Sequence, residues 1–248
     1  MARRIASASL WWLEVAIQRR TDVFLDDIGA SAGAWRKVPL LPVVTIGLAA
    51  GTVATIPANG NFAVLLGGFA IGLFYIGWFG TQFIWYQRAF EGQPIRAVEL
   101  WSLTWGFIAR YVRLYFLWLI PVLVLVLVAV RWSAFGVGSL GWRIGVLGYI
   151  LAIDIANTFI TPTLAFSTRK VTKAVPIGFR MLASGWPEDW KYAVIPGVAA
   201  AAFGGLYWLA PSPGRPALEI LAALTSLLFA GAIARYYLRH AVAVPTSG

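Results

Sequence analysis

A short polar strip inside an apolar segment holds the residues of this chain that are best placed to do chemistry. Asp154 lies near the middle of the otherwise uncharged stretch 144–166, and Asn157, Thr158 and Thr161 follow it at spacings of three, four and seven residues. These spacings place all four side chains on one face of a helix. A carboxylate in hydrocarbon is costly unless it faces water, a ligand or a polar partner. The strip therefore predicts a site for an ion, a proton or a small solute, or else hydrogen bonds that join neighbouring helices.

No second charge is expected inside the membrane as a partner for Asp154. Glu219 and Arg235 only border the uncharged core of the last apolar segment, so neither is expected near the middle of a span. Without a charged partner, the structural interpretation of the strip gains weight. Thr81 and Gln82, in another apolar segment, are likewise expected to form hydrogen bonds between helices.

Residues for catalysis, metal binding or cofactor attachment are otherwise lacking. The chain has no cysteine and a single histidine, His240, which excludes thiolate sites and histidine-rich metal centres. It contains no phosphate-binding loop of the G-x-x-x-x-G-K-[ST] type and no H-E-x-x-H or G-x-S-x-G motif. We therefore predict that the protein is not an enzyme and has no catalytic residue, metal site or cofactor. Five acidic residues lie near basic ones and are therefore predicted to form salt bridges rather than catalytic pairs. They are Asp22, Asp26, Asp27, Glu188 and Asp189.

Hydropathy predicts the elements that position these residues. Of the 248 residues, 60% are hydrophobic and 12% are charged, about half the charged share of a soluble domain. A spanning helix needs about 20 mostly apolar residues. The predicted spans are Val38–Ile56, Phe62–Tyr86, Leu114–Val130, Ile144–Phe166, Tyr192–Ala210 and Ala217–Tyr237.

The predicted fold is an all-α, polytopic integral membrane protein with about six transmembrane helices. Residues 1–37 form an N-terminal cytoplasmic or interfacial segment, residues 38–237 the transmembrane domain and residues 238–248 a short cytoplasmic tail. A turn is predicted at 57–61, where Pro, Asn and Gly separate the first two spans.

The distribution of Lys and Arg predicts which helix ends face the cytoplasm. Seventeen of the 20 basic residues lie in the N-terminal segment, the second and fourth connections and the C-terminal end, and three lie in the other connections. Because basic residues concentrate in cytoplasmic loops, both termini are predicted to be cytoplasmic. Abundant Ala, Gly and Arg are typical of a GC-rich bacterial genome and indicate a bacterial cytoplasmic (inner) membrane.

The two long connections on the predicted cytoplasmic side are basic and amphipathic. Apolar faces oppose Arg and Lys in the stretches 89–113 and 165–191, which is typical of helices that lie at a membrane surface. With a formal net charge of +10, we expect this side to bind anionic phospholipid headgroups rather than nucleic acid. The predicted contacts with anionic lipid or with a partner subunit are Arg88, Arg96, Arg110, Arg113, Arg169, Lys170, Lys173 and Arg180.

Recurring features along the chain indicate a threefold internal repeat of helix hairpins. Ala-Phe pairs at 89–90 and 165–166 precede the two basic stretches, and Pro42, Pro121 and Pro196 lie near the starts of three spans at steps of 79 and 75 residues. Duplicated membrane folds often show such self-similarity. The alternative is that any protein with an even number of spans and cytoplasmic loops shows this spacing.

The layout around the second connection resembles that of known membrane proteins. Ala-Phe-Glu-Gly-Gln-Pro-Ile-Arg (89–96) is followed by a Trp-bearing amphipathic helix and a new span, as in some bacterial multi-pass proteins. The layout is also distantly similar to Yip-type membrane proteins and to the membrane domain fused to some glycerophosphodiesterases. This similarity covers residues 85–200 and implies no activity, because those groups share no catalytic motif that can be placed on this sequence.

Three functions fit these observations. The first is a non-catalytic accessory or scaffolding subunit of a membrane protein complex, because catalytic motifs are absent while basic and Trp-rich surfaces could bind lipid or other membrane protein subunits. The second is a small transporter or permease component with a midspan polar site around Asp154. The third is a lipid-organising or membrane-shaping protein that acts through its interfacial helices.

Overall fold

Helices make up nearly all of the described structure. The computed structural model describes residues 23–55, 62–131 and 139–240, of which 91% are helical and none forms a strand. The helices are α1 Val23–Lys37, α2 Leu40–Thr55, α3 Phe62–Glu91, α4 Glu99–Arg131, α5 Leu140–Phe166, α6 Val171–Asp189, α7 Lys191–Leu209 and α8 Arg215–His240. A short 3-10 turn at Ser212–Gly214 precedes α8. The predicted all-α fold is confirmed for this part of the chain.

Four helices are long and apolar enough to cross a membrane, namely α3, α5, α7 and α8 with its preceding turn. A fifth crossing results if α1 and α2 form one broken span, since they are bent by 90° between Lys37 and Leu40. The described residues are therefore consistent with a multi-pass membrane protein, with four or five qualifying helices instead of the six predicted. Ile56 and the turn predicted at 57–61 lie outside the described residues.

The helix ends show where hydropathy locates a helix and where it does not. α3 begins at Phe62 as predicted but continues to Glu91, and α5 ends at Phe166 as predicted but begins at Leu140. The side chain of Ser139 caps α5 by accepting a backbone hydrogen bond at 3.1 Å, so the helix begins four residues before the predicted span. Hydropathy identifies the apolar part of a helix, whereas caps and turns decide where the helix ends.

α4 corrects the prediction of a separate interfacial helix in the first long connection. The amphipathic stretch and the apolar segment Leu114–Val130 form a single helix of 33 residues, Glu99–Arg131. At about 1.5 Å per residue this helix is roughly 50 Å long, well beyond the ~30 Å of a bilayer's hydrocarbon core. No Gly-Pro turn separates the two parts, and Pro121 is accommodated inside the helix. The second long connection, 165–191, differs because it contains a separate helix, α6.

Three helix contacts depend on glycine in the same way. α3 packs on the first half of α4, α5 packs on α6, and α8 packs on α1. A Cβ added to Gly80 would lie 2.3 Å from the ring of Phe107, and one added to Gly178 would lie 2.7 Å from the backbone of Ile160. A Cβ added to Gly231 would lie 2.1 Å from a side-chain oxygen of α1. These three helix pairs therefore approach more closely than any other residue would allow.

The bundle has two unlike ends. We call the closed end the half in which α1 and α6 pack against the ends of α3, α5 and α8 and the start of α7. Its largest fully buried side chains include Trp78, Trp85, Tyr86, Phe159, Tyr192 and Tyr237. We call the open end the half that contains the starts of α3, α5 and α8 and the end of α7. There Phe62, Phe69 and Leu209 are 66–79% exposed, as expected for side chains that face lipid.

A buried carboxylate ties α1 to the closed end. Asp27 is fully buried, and its two carboxylate oxygens accept hydrogen bonds from the guanidinium of Arg239, at 2.7 Å for Oδ1. The hydroxyl of Tyr192 also donates to Oδ2, and Arg235 lies 3.4 Å from Oδ1. A buried charge is tolerated only when it is paired and hydrogen-bonded, so this cluster joins α1, α7 and α8. The salt bridge predicted for Asp27 is confirmed.

Candidate functional site

A cavity of about 480 Å³ lies between α3, α5, α7 and α8. Its walls come from residues 75–83 of α3, 150–161 of α5, 196–208 of α7 and 218–233 of α8, with Tyr115 of α4 at one side. The volume falls within the range of about 300–1,000 Å³ that is typical of small-molecule sites. The bundle therefore contains a space of ligand size between four of its helices.

Small residues on α7 and α8 leave this space unfilled. The walls on these two helices include Ala199, Ala200, Gly204, Ala222 and Ala223. Protein interiors are close-packed, so a space of this size persists only where facing side chains are too short to meet. The cavity thus arises because short side chains on two neighbouring helices face the polar side of α5.

All four residues of the predicted polar strip line this cavity. Asp154, Asn157, Thr158 and Thr161 share one face of α5, as their spacing predicts. The hydroxyls of the two threonines donate to the backbone carbonyls of Asp154 and Asn157 at 2.9 and 3.0 Å. The indole N–H of Trp118 in α4 donates to the side-chain oxygen of Asn157 at 3.0 Å. The members of the strip therefore differ in their hydrogen bonds. Asn157 forms one between two helices, whereas the threonines form theirs within α5.

Asp154 is the member of the strip that no protein group satisfies. Its side chain is half-buried, and no residue in the described ranges donates a hydrogen bond to its carboxylate or forms an ion pair with it. Tyr115 is the neighbour that lies within electrostatic reach of the charge. An unpaired carboxylate in a protein interior is costly. The Asp154 carboxylate can therefore accept a hydrogen bond from, or pair with a positive charge on, a molecule in the cavity.

The structure brings a second carboxylate to the same cavity, from the first turns of α8. Glu219 lies one turn into α8 and lines the cavity together with Asp154. Arg215, one turn earlier, does not neutralise it. The Arg215 guanidinium lies 5.3 Å from the ring centre of Tyr207 and donates to the carbonyl of Ala210 at 3.3 Å. No ion pair joins Arg215 to Glu219 in the described structure.

Residue spacing was the signal that could have revealed Glu219. Ala222, Ala223 and Ser226 follow it at three, four and seven residues, the same spacing as in the Asp154 strip, and all of them line the cavity. A carboxylate followed by small residues on one helix face predicts an open space beside the charge. Hydropathy alone places Glu219 at the border of a span, because it sums over the helix and ignores its faces.

Gln82 of α3 adds a buried amide to the cavity wall. The residue is 4% exposed, and its side chain forms no hydrogen bond with any residue that the structure describes. Its neighbour Thr81 does form the interhelical hydrogen bond that the sequence predicts, at 3.0 Å from Thr104. Gln82 does not, and so it points to a polar occupant of the cavity.

The eight basic residues predicted to contact lipid or a partner subunit fall into two groups. Six are exposed, namely Arg96, Arg113, Arg169, Lys170, Lys173 and Arg180. The other two bind within the protein. Arg88 forms an ion pair with Glu99, and Arg110 lies 4.7 Å from the ring of Phe107 and donates to a backbone carbonyl of α5 at 3.3 Å. Burial lowers the pKa of the Arg110 guanidinium, and the charge of Arg169 lowers it further.

Comparison with known protein families, with curated proteins and with solved structures finds no match for this chain.

Proposed function

We propose that this chain is a small transporter or permease component of a bacterial cytoplasmic membrane, and that its solute site is the cavity between α3, α5, α7 and α8. The observation that carries the proposal is the Asp154 carboxylate, which is half-buried, lacks a partner among the described residues and faces a space of ligand size. An ionisable residue within a membrane span serves function by default. A purely structural subunit has no need of such a cavity.

The proposed arrangement in the membrane has six crossings, formed by α2, α3, the second half of α4, α5, α7 and α8. Both termini and the closed end face the cytoplasm, because 17 of the 20 basic residues lie on that side. α1 and α6 lie in the headgroup layer, and the first half of α4 extends beyond the hydrocarbon core on the cytoplasmic side, where exposed basic residues bind anionic phospholipids. The cavity then extends from the middle of the membrane, at Asp154, towards the opposite face, at Glu219.

We also propose that the fold is a threefold repeat of an interfacial segment followed by a helix hairpin. The support is that a glycine lies at the contact between α3 and α4, between α5 and α6, and between α8 and α1, on α3, α6 and α8 respectively. In each pair the second helix of one hairpin packs on the interfacial segment of the next unit, and the last hairpin packs on the first interfacial segment. An even number of spans explains the loop spacing, but it does not explain a glycine at each of these three contacts.

Transport by the purified chain in liposomes tests the proposed function. The test solutes are a radiolabelled amino acid, a sugar, a polyamine and a quaternary ammonium ion, and protein-free liposomes measure the background. At least one of them should enter at a protein-dependent rate, and Asp154→Asn should abolish that uptake. Asp26→Asn, which removes an exposed carboxylate at the closed end, should have no effect. Full uptake by the Asp154→Asn variant would exclude this site.

One observation favours a second function, that of an accessory subunit. Trp101 and Trp105 stack on each other with ring centres 5.6 Å apart, yet they are 65% and 59% exposed. Phe74 stacks on the outer side of Trp101, also at 5.6 Å. Large exposed aromatic residues are enriched in protein interfaces. The first half of α4 is therefore the surface on which we propose that another membrane subunit would dock.

Native mass spectrometry on protein gently extracted from its own membrane tests this second function. A mass well above 27.0 kDa that contains other chains would support it. The double substitution Trp101→Ala with Trp105→Ala should then release those chains, whereas Trp186→Ala on α6 should retain them. A monomer that carries only lipid would contradict the accessory role and would favour lipid organisation instead.

A further inference from the structure

The cavity carries negative charge in a strongly basic protein. Asp154 and Glu219 both line it, and none of the described residues that line it is Lys, Arg or His. The chain as a whole has a formal net charge of +10. Each carboxylate that faces a space of low dielectric is stabilised by a positive charge within that space. The cavity therefore favours an occupant of positive charge.

Aromatic rings form much of the remaining wall. They belong to Tyr75, Phe79, Tyr115, Phe203, Tyr207 and Phe229. Tyr75 lies within electrostatic reach of Glu219, and Tyr115 lies within reach of Asp154. The face of an aromatic ring attracts a cation, and the attraction grows when water is excluded. A wall of carboxylates and aromatic rings can bind an alkylated ammonium group. The carboxylates offset its charge, and the rings contact its alkyl substituents.

A bare metal ion fits the same wall less well. Calcium and magnesium take six or more oxygen ligands at short distances. In the part of the chain that the structure describes, no group of three or more His, Cys, Asp or Glu side chains could hold a metal ion. The rings and small apolar residues around Asp154 offer contacts that an organic cation uses and a metal ion does not.

Gln82 supplies a polar contact that an ammonium ion can use. The residue is 4% exposed and lines the cavity, and no hydrogen bond joins its side chain to a described residue, so its side-chain oxygen can accept an N–H from an occupant. We infer that the cavity binds a small organic ammonium ion, with Asp154 and Glu219 as counter-charges and the aromatic rings around its alkyl groups. This inference rests on the proposed function and names the substrate class of the same site.

The absence of cysteine allows a direct test, because one introduced thiol reports on the cavity without background labelling. Ser226→Cys places a thiol in the cavity wall, and Ser212→Cys places one in the exposed turn before α8 as a matched control. Each variant of the full chain, in liposomes, is labelled with two methanethiosulfonate reagents. One reagent carries a trimethylammonium group and the other carries a sulfonate group. We expect the ratio of cationic to anionic labelling rates to be about tenfold higher at position 226, because both carboxylates line the same poorly screened space as this position.

Substitution of the two carboxylates and competition by an ammonium ion extend this test. Asp154→Asn and Glu219→Gln should each lower the ratio measured with Ser226→Cys. The two substitutions together should bring the labelling ratio at position 226 within about twofold of the ratio at position 212, because the remaining fixed charges are screened by salt. Glu91→Gln, which removes an exposed carboxylate at the closed end, should leave the ratio unchanged. Tetraethylammonium chloride should slow labelling at position 226, whereas sodium benzenesulfonate at equal ionic strength should not.

The outcomes separate this inference from the proposed function. If both reagents label position 226 with the same ratio as position 212, the ammonium inference is overturned while an accessible solute cavity stands. If neither reagent labels position 226 while position 212 reacts, the cavity is closed to water and both proposals fail. Ala222→Cys, on the same wall, serves as the reporter if the Ser226→Cys variant does not fold.

Discussion

At the closed end of the bundle, aromatic rings and a paired carboxylate fill the space between helices, whereas nearer the middle of the bundle alanine and glycine leave a cavity that unpaired carboxylates face. Asp27 is fully buried but is bound by Arg239, Arg235 and Tyr192. Asp154 is only half-buried, yet no described residue satisfies its carboxylate. The comparison shows that the availability of partners, more than the depth of burial, separates a structural carboxylate from a candidate binding group.

The tyrosine hydroxyls of the two regions differ in the same way. At the closed end, the hydroxyl of Tyr86 donates to the carbonyl of Leu227 at 2.9 Å and accepts hydrogen bonds from Ser31 and Trp35 at 3.1 and 2.6 Å. It thus joins α1, α3 and α8. For Tyr115, which lines the cavity, no described residue forms a hydrogen bond with the hydroxyl. The hydroxyl of Tyr86 is thus satisfied within the protein, whereas that of Tyr115 is free to bind an occupant of the cavity.

The largest effect on stability is expected from Asp27→Asn. The substitution leaves two guanidiniums without their counter-charge and should lower the free energy of unfolding by about 2–3 kcal/mol. This is less than the full cost of breaking a buried pair, because the side chains of Arg235 and Arg239 are 39% and 38% exposed. Thermal unfolding in detergent measures the effect. Asp26→Asn is the matched control, and an equal loss there would show that Asp27 has no special role.

Glycine substitutions test the packing difference between the two ends. Gly231→Ala should destabilise the protein by about 1–3 kcal/mol, because its Cβ would lie 2.1 Å from the hydroxyl oxygen of Ser31. Gly67→Ala on α3 should change stability by less than about 0.5 kcal/mol, since its Cβ would meet nothing within 4 Å. The shift in the midpoint of thermal unfolding measures both. Equal effects of the two substitutions would remove the distinction between a packed and an open end.

The smallest effect, and one of opposite sign, is expected at the cavity. Asp154→Asn and Glu219→Gln remove charges that no described residue pairs. Each should leave the free energy of unfolding unchanged or raise it by less than about 1 kcal/mol. The same thermal unfolding assay measures this in the absence of any solute. A loss of stability as large as that of Asp27→Asn would mean that these carboxylates support the fold instead of binding a ligand.

Part of the candidate site was predictable from the sequence. The spacing from Asp154 to Thr161 placed four polar residues on one helix face, because helical periodicity is a local property of the chain. Glu219 and Gln82 were missed as members of the site, because they come from α8 and α3 and join it only when those helices pack around the same space. Asp27 was predicted to form salt bridges, but its partners lie more than 160 residues away.

Hydropathy and residue spacing alone determined that the described part of this chain is all-helical, where its apolar helices lie and which face of α5 is polar, since each of these depends on residues within one or two helical turns of each other. The tertiary structure decided that α4 is one continuous helix, that α1 and α2 meet at 90° and that two carboxylates share a cavity. Those features depend on how side-chain volumes from separate helices fit together. A cavity is volume that no side chain fills, so it is defined only once the helices around it have packed.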